Sequence, residues 1–320
     1  MPHSKQVTTL SRRTFLAVSG AGASALAASR LAANAWKSGS PAETAQAAEP
    51  PVSDAPPAKA RPIGIELYAV RGELAKDLPN TLRTVAQMGY EVVEFYAPYL
   101  AWTIPYAKDV RTQLDDLGVR CYSTHNSTAS ITPGDTMAKA IEINQILGAR
   151  HIILASAPGD TQGLEGWKRM TDKLAAASEQ LKPHGLLAGY HNHRVEWLPL
   201  DSGQRVMDVI AANTPSDFVL QLDVGTCVEA GADPVAWIRA NPGRIRSVHL
   251  KDWTPGTAEE GKAFRILFGE GVAPWRQILG AVESVGGVEF YLMEQEGSRF
   301  SEFETARRCL ATWRTMQRSR

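Results

Sequence analysis

The feature that most constrains this chain is a regular alternation of short apolar runs and longer amphipathic segments from Pro62 onward. The short runs are rich in β-branched residues, as buried strands are, and the longer segments have the apolar spacing of helices. Strands that alternate with helices imply a parallel sheet with right-handed crossovers. We predict eight strands: Ile63–Ala69, Val92–Tyr96, Arg120–His125, His151–Ala155, Leu187–His191, Phe218–Asp223, Ile245–Lys251 and Glu289–Glu294.

The number of repeats favours a closed barrel over an open sheet. Eight strand–helix units between residues 62 and 320 match the usual size of a (β/α)8 barrel. An open doubly wound sheet is the alternative, but no GxGxxG motif follows the first predicted strand. We therefore predict an α/β protein whose single catalytic domain, residues 62–320, is a (β/α)8 TIM barrel.

The first 61 residues have a different character. Arg12 and Arg13 precede a mild apolar run, Ala17 to Leu31, that is rich in Ala, Gly and Ser. This pattern is typical of a twin-arginine export signal, and an uncleaved anchor or a chance arginine pair is the alternative. We predict a signal peptide over residues 1–35, a disordered linker over residues 36–61, a periplasmic location and no stable membrane insertion after cleavage.

The charge balance bears on the partner. Lys+Arg and Asp+Glu both number 34, so the formal net charge is zero. A neutral chain offers no bulk attraction for nucleic acid, whereas it suits a small carbohydrate. The three cysteines are widely spaced and suggest no disulfide framework. The sequence is compatible with either a monomer or an oligomer.

Ionisable residues end three successive predicted strands. Asp223, His249 and Glu294 end strands six, seven and eight, and active sites of such barrels lie at the carboxyl ends of the strands. A carboxylate inside an apolar strand is costly unless it is paired or binds a cation. The three residues predict a site for a divalent metal, with Mn²⁺, Zn²⁺, Fe²⁺, Co²⁺ and Mg²⁺ all compatible. A buried ion-pair network is the alternative.

Four short motifs follow one another along the chain: Leu222-Asp223-Val224-Gly225, Val248-His249-Leu250-Lys251-Asp252, Gly269-Glu270-Gly271 and Met293-Glu294-Gln295-Glu296. Their order and spacing together are specific. On these pieces the chain, from about Ile63 to Trp313, resembles the xylose isomerase-like superfamily. That superfamily contains sugar phosphate isomerases/epimerases, inosose dehydratases and endonuclease IV. The resemblance implies a metal held by Glu, Asp, His and Glu from strands five to eight.

This chain departs from that pattern at strand five. It has His191-Asn192-His193 where many members have Glu-Asn-His. Either His191 replaces the glutamate as a ligand, or Glu196 reaches the metal, or three protein ligands and water complete the site. We favour the ligand set His191, Asp223, His249 and Glu294.

Other residues are candidates for catalysis and substrate binding. Lys251 shares a strand face with His249 and could neutralise an enediolate. The catalytic candidates are Glu294, Lys251, His193 and Glu196. We expect substrate contacts from His125, Glu270, Tyr68 and Trp253. The first of these is equally suited to a structural hydrogen bond, and Glu94 is either a partner of the site or a packing charge. His151 opens a strand and is predicted to be structural.

These features predict a metal-dependent sugar isomerase or epimerase. The metal would acidify a C–H bond beside a carbonyl, and a base would then form an enediolate. Because phosphosugars are cytoplasmic, export favours a non-phosphorylated sugar or keto-sugar. The alternative is a lyase or dehydratase acting on a 3-keto-glycoside or an inosose. An endonuclease IV-like hydrolase and a non-catalytic sugar binder are further alternatives.

Overall fold

The computed structural model describes residues 61–159, 161–256 and 264–320. Its strands are parallel neighbours in chain order, and the last strand pairs with the first to close a barrel. The strands are β1 Ile63–Glu66, β2 Val92–Phe95, β3 Arg120–Asn126, β4 His151–Leu154, β5 Leu187–His191, β6 Val219–Asp223, β7 Ser247–Leu250 and β8 Phe290–Met293. The predicted TIM barrel is therefore confirmed, and the open sheet is excluded. The predicted signal peptide, and the linker up to residue 60, lie outside the described residues.

Helices follow the strands and cover the outside of the barrel. They are α1 Arg71–Lys76, α2 Leu78–Met88, α3 Ile104–Asp116, α4 Asp135–Leu147, α5 Gly163–Leu181, α6 Val206–Ala212, α7 Val224–Glu229, α8 Pro234–Ala240, α9 Trp275–Ala281 and α10 Glu302–Arg318. Their apolar faces pack on the barrel in one large core. Among the described residues, no helix has the length and apolar character needed to cross a membrane.

Alternation along the strands gives the barrel an apolar end and a polar end. Val92, Phe290 and Leu292 form a small buried cluster of their own, with Tyr122 packed against it. This cluster and His151 lie at or near the amino ends of their strands, and we call that end the floor. Two residues beyond Val92 and Leu292, on the same face of their strands, lie the acidic side chains of Glu94 and Glu294. The carboxyl ends, which we call the mouth, carry Glu66, Glu94, His125, His191, Asp223, His249 and Glu294.

Two differences from the sequence prediction bear on the mouth. Strand β1 ends at Glu66 rather than at Ala69, because the Glu66 carboxylate accepts a hydrogen bond from the Tyr68 amide at 2.7 Å and caps a 3₁₀ helix, Leu67–Val70. Helix α7 was not predicted. It begins directly after β6, where Asp223 Oδ1 accepts from the Thr226 amide at 2.9 Å.

Candidate metal centre and active-site cavity

Three predicted ligands converge at the mouth. One donor atom from each of His191, Asp223 and Glu294 lies within 4.8 Å of the other two, and all three side chains are buried. His191 ends β5, Asp223 ends β6 and Glu294 directly follows β8. These strands lie on the same side of the barrel and bring the three side chains together. One imidazole and two carboxylates form a donor set that divalent transition metals accept.

Asp223 is held so that one of its two carboxylate oxygens makes no hydrogen bond to the described residues. Its backbone is fixed by Asn192, whose side chain accepts from the Asp223 amide at 3.0 Å and donates to the Asp223 carbonyl at 3.1 Å. Because Oδ1 caps α7, only Oδ2 is free to point toward the mouth. Oδ2 is buried and has no hydrogen-bond partner among the described residues, although Lys251 Nζ lies 3.4 Å away as an ion pair. A buried, unpartnered carboxylate oxygen beside two other donors fits a bound cation.

His191 is oriented by a glutamine that lies further inside the barrel. The Gln221 amide oxygen is 3.0 Å from His191 Nδ1 and 2.7 Å from His125 Nε2. Because an amide oxygen only accepts, the proton of His191 belongs on Nδ1. That tautomer leaves Nε2 unprotonated at 3.8 Å from Asp223 Oδ2, as a metal ligand requires. Burial, with the neighbouring rings of His249 and His125, lowers the pKa of His191 well below its ordinary value, so the ring stays neutral.

His249 contacts two carboxylates instead of offering a free nitrogen. Its Nδ1 lies 2.6 Å from Glu294 Oε2 and its Nε2 lies 2.8 Å from Glu94 Oε2. Burial opposes a charged ring, but these carboxylates raise the pKa of His249 to about 10. Burial likewise opposes ionisation of Glu94, yet the His125 and His249 rings lower the pKa of Glu94 to about 2. Direct metal binding by His249 would require one of these bonds to break.

A second donor set consists of His125, His191 and His249. It shares His191 with the first set, and it contains no carboxylate to offset the charge of a cation. His125 Nε2 already lies within reach of two acceptors, Gln221 Oε1 and, at 3.2 Å, Glu94 Oε2. The carboxylate-containing set is therefore the better metal site.

Lys251 supplies a buried positive charge beside the site. Its ammonium lies 3.4 Å from both Asp223 Oδ2 and Glu294 Oε1, and it also bonds Glu296 Oε1. Burial alone would lower the pKa of Lys251, but the three carboxylates raise it above its ordinary value. Burial disfavours an ionised Glu294, yet Lys251 and His249 lower the pKa of Glu294 well below its ordinary value. The second carboxylate of the metal set is therefore ionised.

A cavity of about 300 Å³ opens above the donor set. It is lined by Glu66, Tyr68, Tyr96, His125, Ala155, His191, His193, Glu294 and Glu296. Besides the predicted metal ligands, seven residues were expected to face such a cavity and to act there. The structure places His125, His193 and Tyr68 on its wall, whereas Lys251 lies among the carboxylates below it.

Three other predicted residues are held elsewhere. Glu196 caps the 3₁₀ helix Arg194–Trp197, accepting from the His193 amide and from the Tyr190 hydroxyl, both at 2.8 Å. Glu270 pairs with Arg299 at 2.7 Å, and Trp253 is absent from the residues that line the described cavity. The structure therefore does not bring Glu196, Glu270 and Trp253 together with the metal set.

Sequence reasoning missed Glu66, Gln221, Tyr96 and Glu296, and gave Glu94 no definite role. Gln221 lies two residues before Asp223 on β6, so strand alternation already placed both side chains on one face. Glu66 had no such signal, because the first predicted strand ran past it to Ala69.

A closed parallel barrel with a polar cavity and a candidate metal-ligand set at its carboxyl end defines a class of TIM-barrel proteins. Within that class, residues 82–314 match the family model of the xylose isomerase-like TIM barrel, and the chain belongs to this family. The predicted resemblance is thereby confirmed. Among curated protein sequences, none is a significant match to this chain.

Solved structures support the same assignment. A sugar phosphate isomerase/epimerase from Parabacteroides distasonis is 25% identical, with a TM-score of 0.66, over 82% of this chain and 96% of its own. A D-psicose 3-epimerase solved in the presence of D-fructose shares the fold at 14% identity and a TM-score of 0.58, over 79% of this chain and 98% of its own. The IOLI protein, solved with a zinc atom, shares it at 13% identity and a TM-score of 0.60, over 80% of this chain and 96% of its own.

Proposed function

We propose that the protein is a metal-dependent sugar isomerase or epimerase that acts through an enediolate. The observation that carries this proposal is the convergence of His191, Asp223 and Glu294 beneath the cavity, with an unpartnered Asp223 oxygen. The membership of this chain in the xylose isomerase-like family supports the proposal of an enzyme that acts on sugars. The IOLI protein, a structural neighbour that holds zinc, supports a metal in this fold.

The cavity favours a small, uncharged substrate. Its volume of about 300 Å³ is at the lower end of the range for ligand pockets. Three of its lining residues, Glu66, Glu294 and Glu296, are acidic, and the described lining contains no arginine or lysine. A phosphate group would meet the Glu294 and Glu296 carboxylates on the cavity wall, and the Lys251 ammonium below them is already shared by three carboxylates. We therefore propose a non-phosphorylated sugar or keto-sugar. The export pattern before residue 36 is consistent with such a substrate in the periplasm.

The chemistry follows from the groups around the cavity. A divalent metal, when bound, would polarise adjacent hydroxyl and carbonyl oxygens of the sugar and so acidify the neighbouring C–H bond. His193 lines the cavity beside His191, at 5.0 Å between ring centroids, and is the candidate base for that proton. Lys251 and protonated His249 keep the Glu294 carboxylate ionised. Reprotonation at the adjacent carbon isomerises the sugar, and reprotonation on the opposite face epimerises it.

Proton exchange in D₂O tests this function. The mature protein, incubated with Mn²⁺, Zn²⁺ or Co²⁺, is mixed with D-fructose, D-xylose and a 3-keto-glucoside, and each sugar is followed by NMR. We expect deuterium at a carbon next to the carbonyl with at least one sugar, and none with Asp223→Asn. If no sugar exchanges with any metal, the enediolate mechanism is wrong.

Elimination is the second candidate reaction. With His191 in place of a glutamate, the described metal set contains a single glutamate, Glu294, and its pKa is lowered. A site without two equivalent glutamate bases suits loss of a β-substituent as well as it suits epimerisation. The same NMR spectra separate the two reactions, because elimination yields an unsaturated keto-sugar. Metal content separates both from a hydrolase with a multi-metal cluster and from a metal-free sugar binder.

A further inference from the structure

Glu66 is a buried carboxyl group at the mouth that the reaction outlined above does not use. It lines the cavity and is only 1% exposed. One of its oxygens, Oε2, accepts from the Tyr68 amide at 2.7 Å. The other, Oε1, is buried and has no hydrogen-bond partner among the residues that the structure describes. An unpartnered buried oxygen on a cavity wall needs an explanation, and a ligand in the cavity supplies one.

The position of Glu66 in the barrel complements that of His193. Strand β1, which ends at Glu66, lies four strands from β5 in either direction around the closed barrel. His193 follows β5 directly and lines the same cavity. The two side chains therefore stand on opposite walls, and a sugar bound between them would present opposite faces, or different carbons, to each.

Burial also bears on the proton of Glu66. It raises the pKa of Glu66 well above its ordinary value. A buried carboxyl group that keeps its proton on a cavity wall suits the role of acid.

We propose that Glu66 is the general acid of this site. In the forward step His193 takes the proton of the substrate C–H bond, whose electron pair enters the enediolate. The Oε1–H bond of Glu66 then breaks and a new C–H bond forms, on the opposite face of the same carbon in epimerisation or at the adjacent carbon in isomerisation. In isomerisation the hydroxyl proton of the enediolate moves to the neighbouring oxygen as the new carbonyl forms, and in both reactions Glu66 is left as a carboxylate. Proton transfer from protonated His193 through solvent to Glu66 restores the starting state. This inference rests on the proposed isomerase or epimerase function.

The test compares Glu66→Gln with wild type in D₂O. Glutamine keeps an oxygen for the Tyr68 amide, so the 3₁₀ helix after β1 is expected to survive, and metal content and melting temperature check this. Glu165→Gln, on the exposed face of α5 where Glu165 pairs with Lys168, is the matched control. Deuterium entering the substrate and product formation are measured separately, with D-fructose, D-xylose and the 3-keto-glucoside.

We expect Glu66→Gln to form product at least about 100-fold more slowly, as loss of an acid catalyst does, while exchange into the substrate continues within about threefold. The control should match wild type in both. Product formation within about threefold of wild type would overturn the role of Glu66 and leave the proposed function standing. An equal loss of exchange and product would overturn it too, because the acid is needed only after exchange. Wild type without exchange or product would overturn the proposed function, and this inference with it.

Discussion

Two buried histidines at opposite ends of the barrel have opposite proton affinities. At the mouth, His249 is completely buried and contacts Glu94 and Glu294 within 2.8 Å, and its pKa is raised to about 10. At the floor, His151 stacks on Phe290, and its nearest carboxylate, Glu289, is 3.8 Å away. Burial lowers the pKa of His151 to about 4. Burial without a close carboxylate keeps His151 neutral, whereas the two carboxylates at the mouth make His249 a cation.

The difference extends to the surroundings of each residue. The floor is closed by an apolar cluster, and His151 Nδ1 has no hydrogen-bond partner among the described residues. The mouth collects carboxylates, imidazoles and Lys251 into one network. Isolated buried charges are costly, so such a network is retained where it binds or reacts with something. Four variants test this contrast.

The largest effect is expected from Lys251→Met at the mouth. The substitution leaves the buried Asp223 and Glu294 carboxylates without their shared ammonium. Removing one partner of a buried ion pair costs about 3–5 kcal/mol, so the free energy of unfolding in EDTA should fall by about that amount. Mn²⁺ should restore part of the loss. Chemical denaturation measures both, with the exposed Lys168→Met as control, and a loss below about 1 kcal/mol would contradict the buried-cation account.

At the floor, acid should destabilise the protein through His151. Its pKa is about 4 in the folded chain and about 6.5 when unfolded, so the unfolded state binds the proton more readily. The stability that the neutral ring contributes is present above pH 6.5 and is lost as the pH falls toward 4, by about 3 kcal/mol. His151→Leu should show a correspondingly smaller fall over this window in urea titrations. Identical falls in the two proteins would show that His151 is not buried as a neutral group.

Replacing Gln221 tests how the His191 ring is oriented at the mouth. In Gln221→Leu, His191 loses the acceptor that fixes its tautomer. Loss of such an outer partner typically weakens metal binding about 10–100-fold, and we expect Mn²⁺ affinity, measured by calorimetry, to fall in that range. An unchanged affinity would mean that another group orients the ring.

The smallest effect is expected from Glu196→Gln. Because its carboxylate caps a helix instead of facing the cavity, the change should cost about 1 kcal/mol of stability and alter kcat by less than about threefold. Steady-state rates and melting curves check this. A kcat lowered 100-fold with the fold intact would return Glu196 to the catalytic groups.

The barrel could be predicted because the periodicities of strands and helices are local features of the sequence. Asp223, His249 and Glu294 were predicted because parallel strands end at one mouth, and His191 because the family resemblance pointed to the end of strand five. The placement of Glu196 depended on the turn of the 3₁₀ helix Arg194–Trp197, which no periodicity marks. Glu66 was not predicted because the sequence pattern extended the first strand to Ala69, whereas the Glu66 carboxylate caps the turn that ends β1. The bonding of His249 depended on Glu94, 155 residues away in the chain.

The central claim is that the mouth holds one divalent metal through His191, Asp223 and Glu294. Elemental analysis of purified wild type and Asp223→Asn, after reconstitution with Mn²⁺ or Zn²⁺ and removal of free metal, tests it most directly. The account predicts about one ion per chain in wild type and a loss of affinity beyond about 100-fold in the variant. Wild type that retains no metal, or a variant that binds as tightly as wild type, would contradict it.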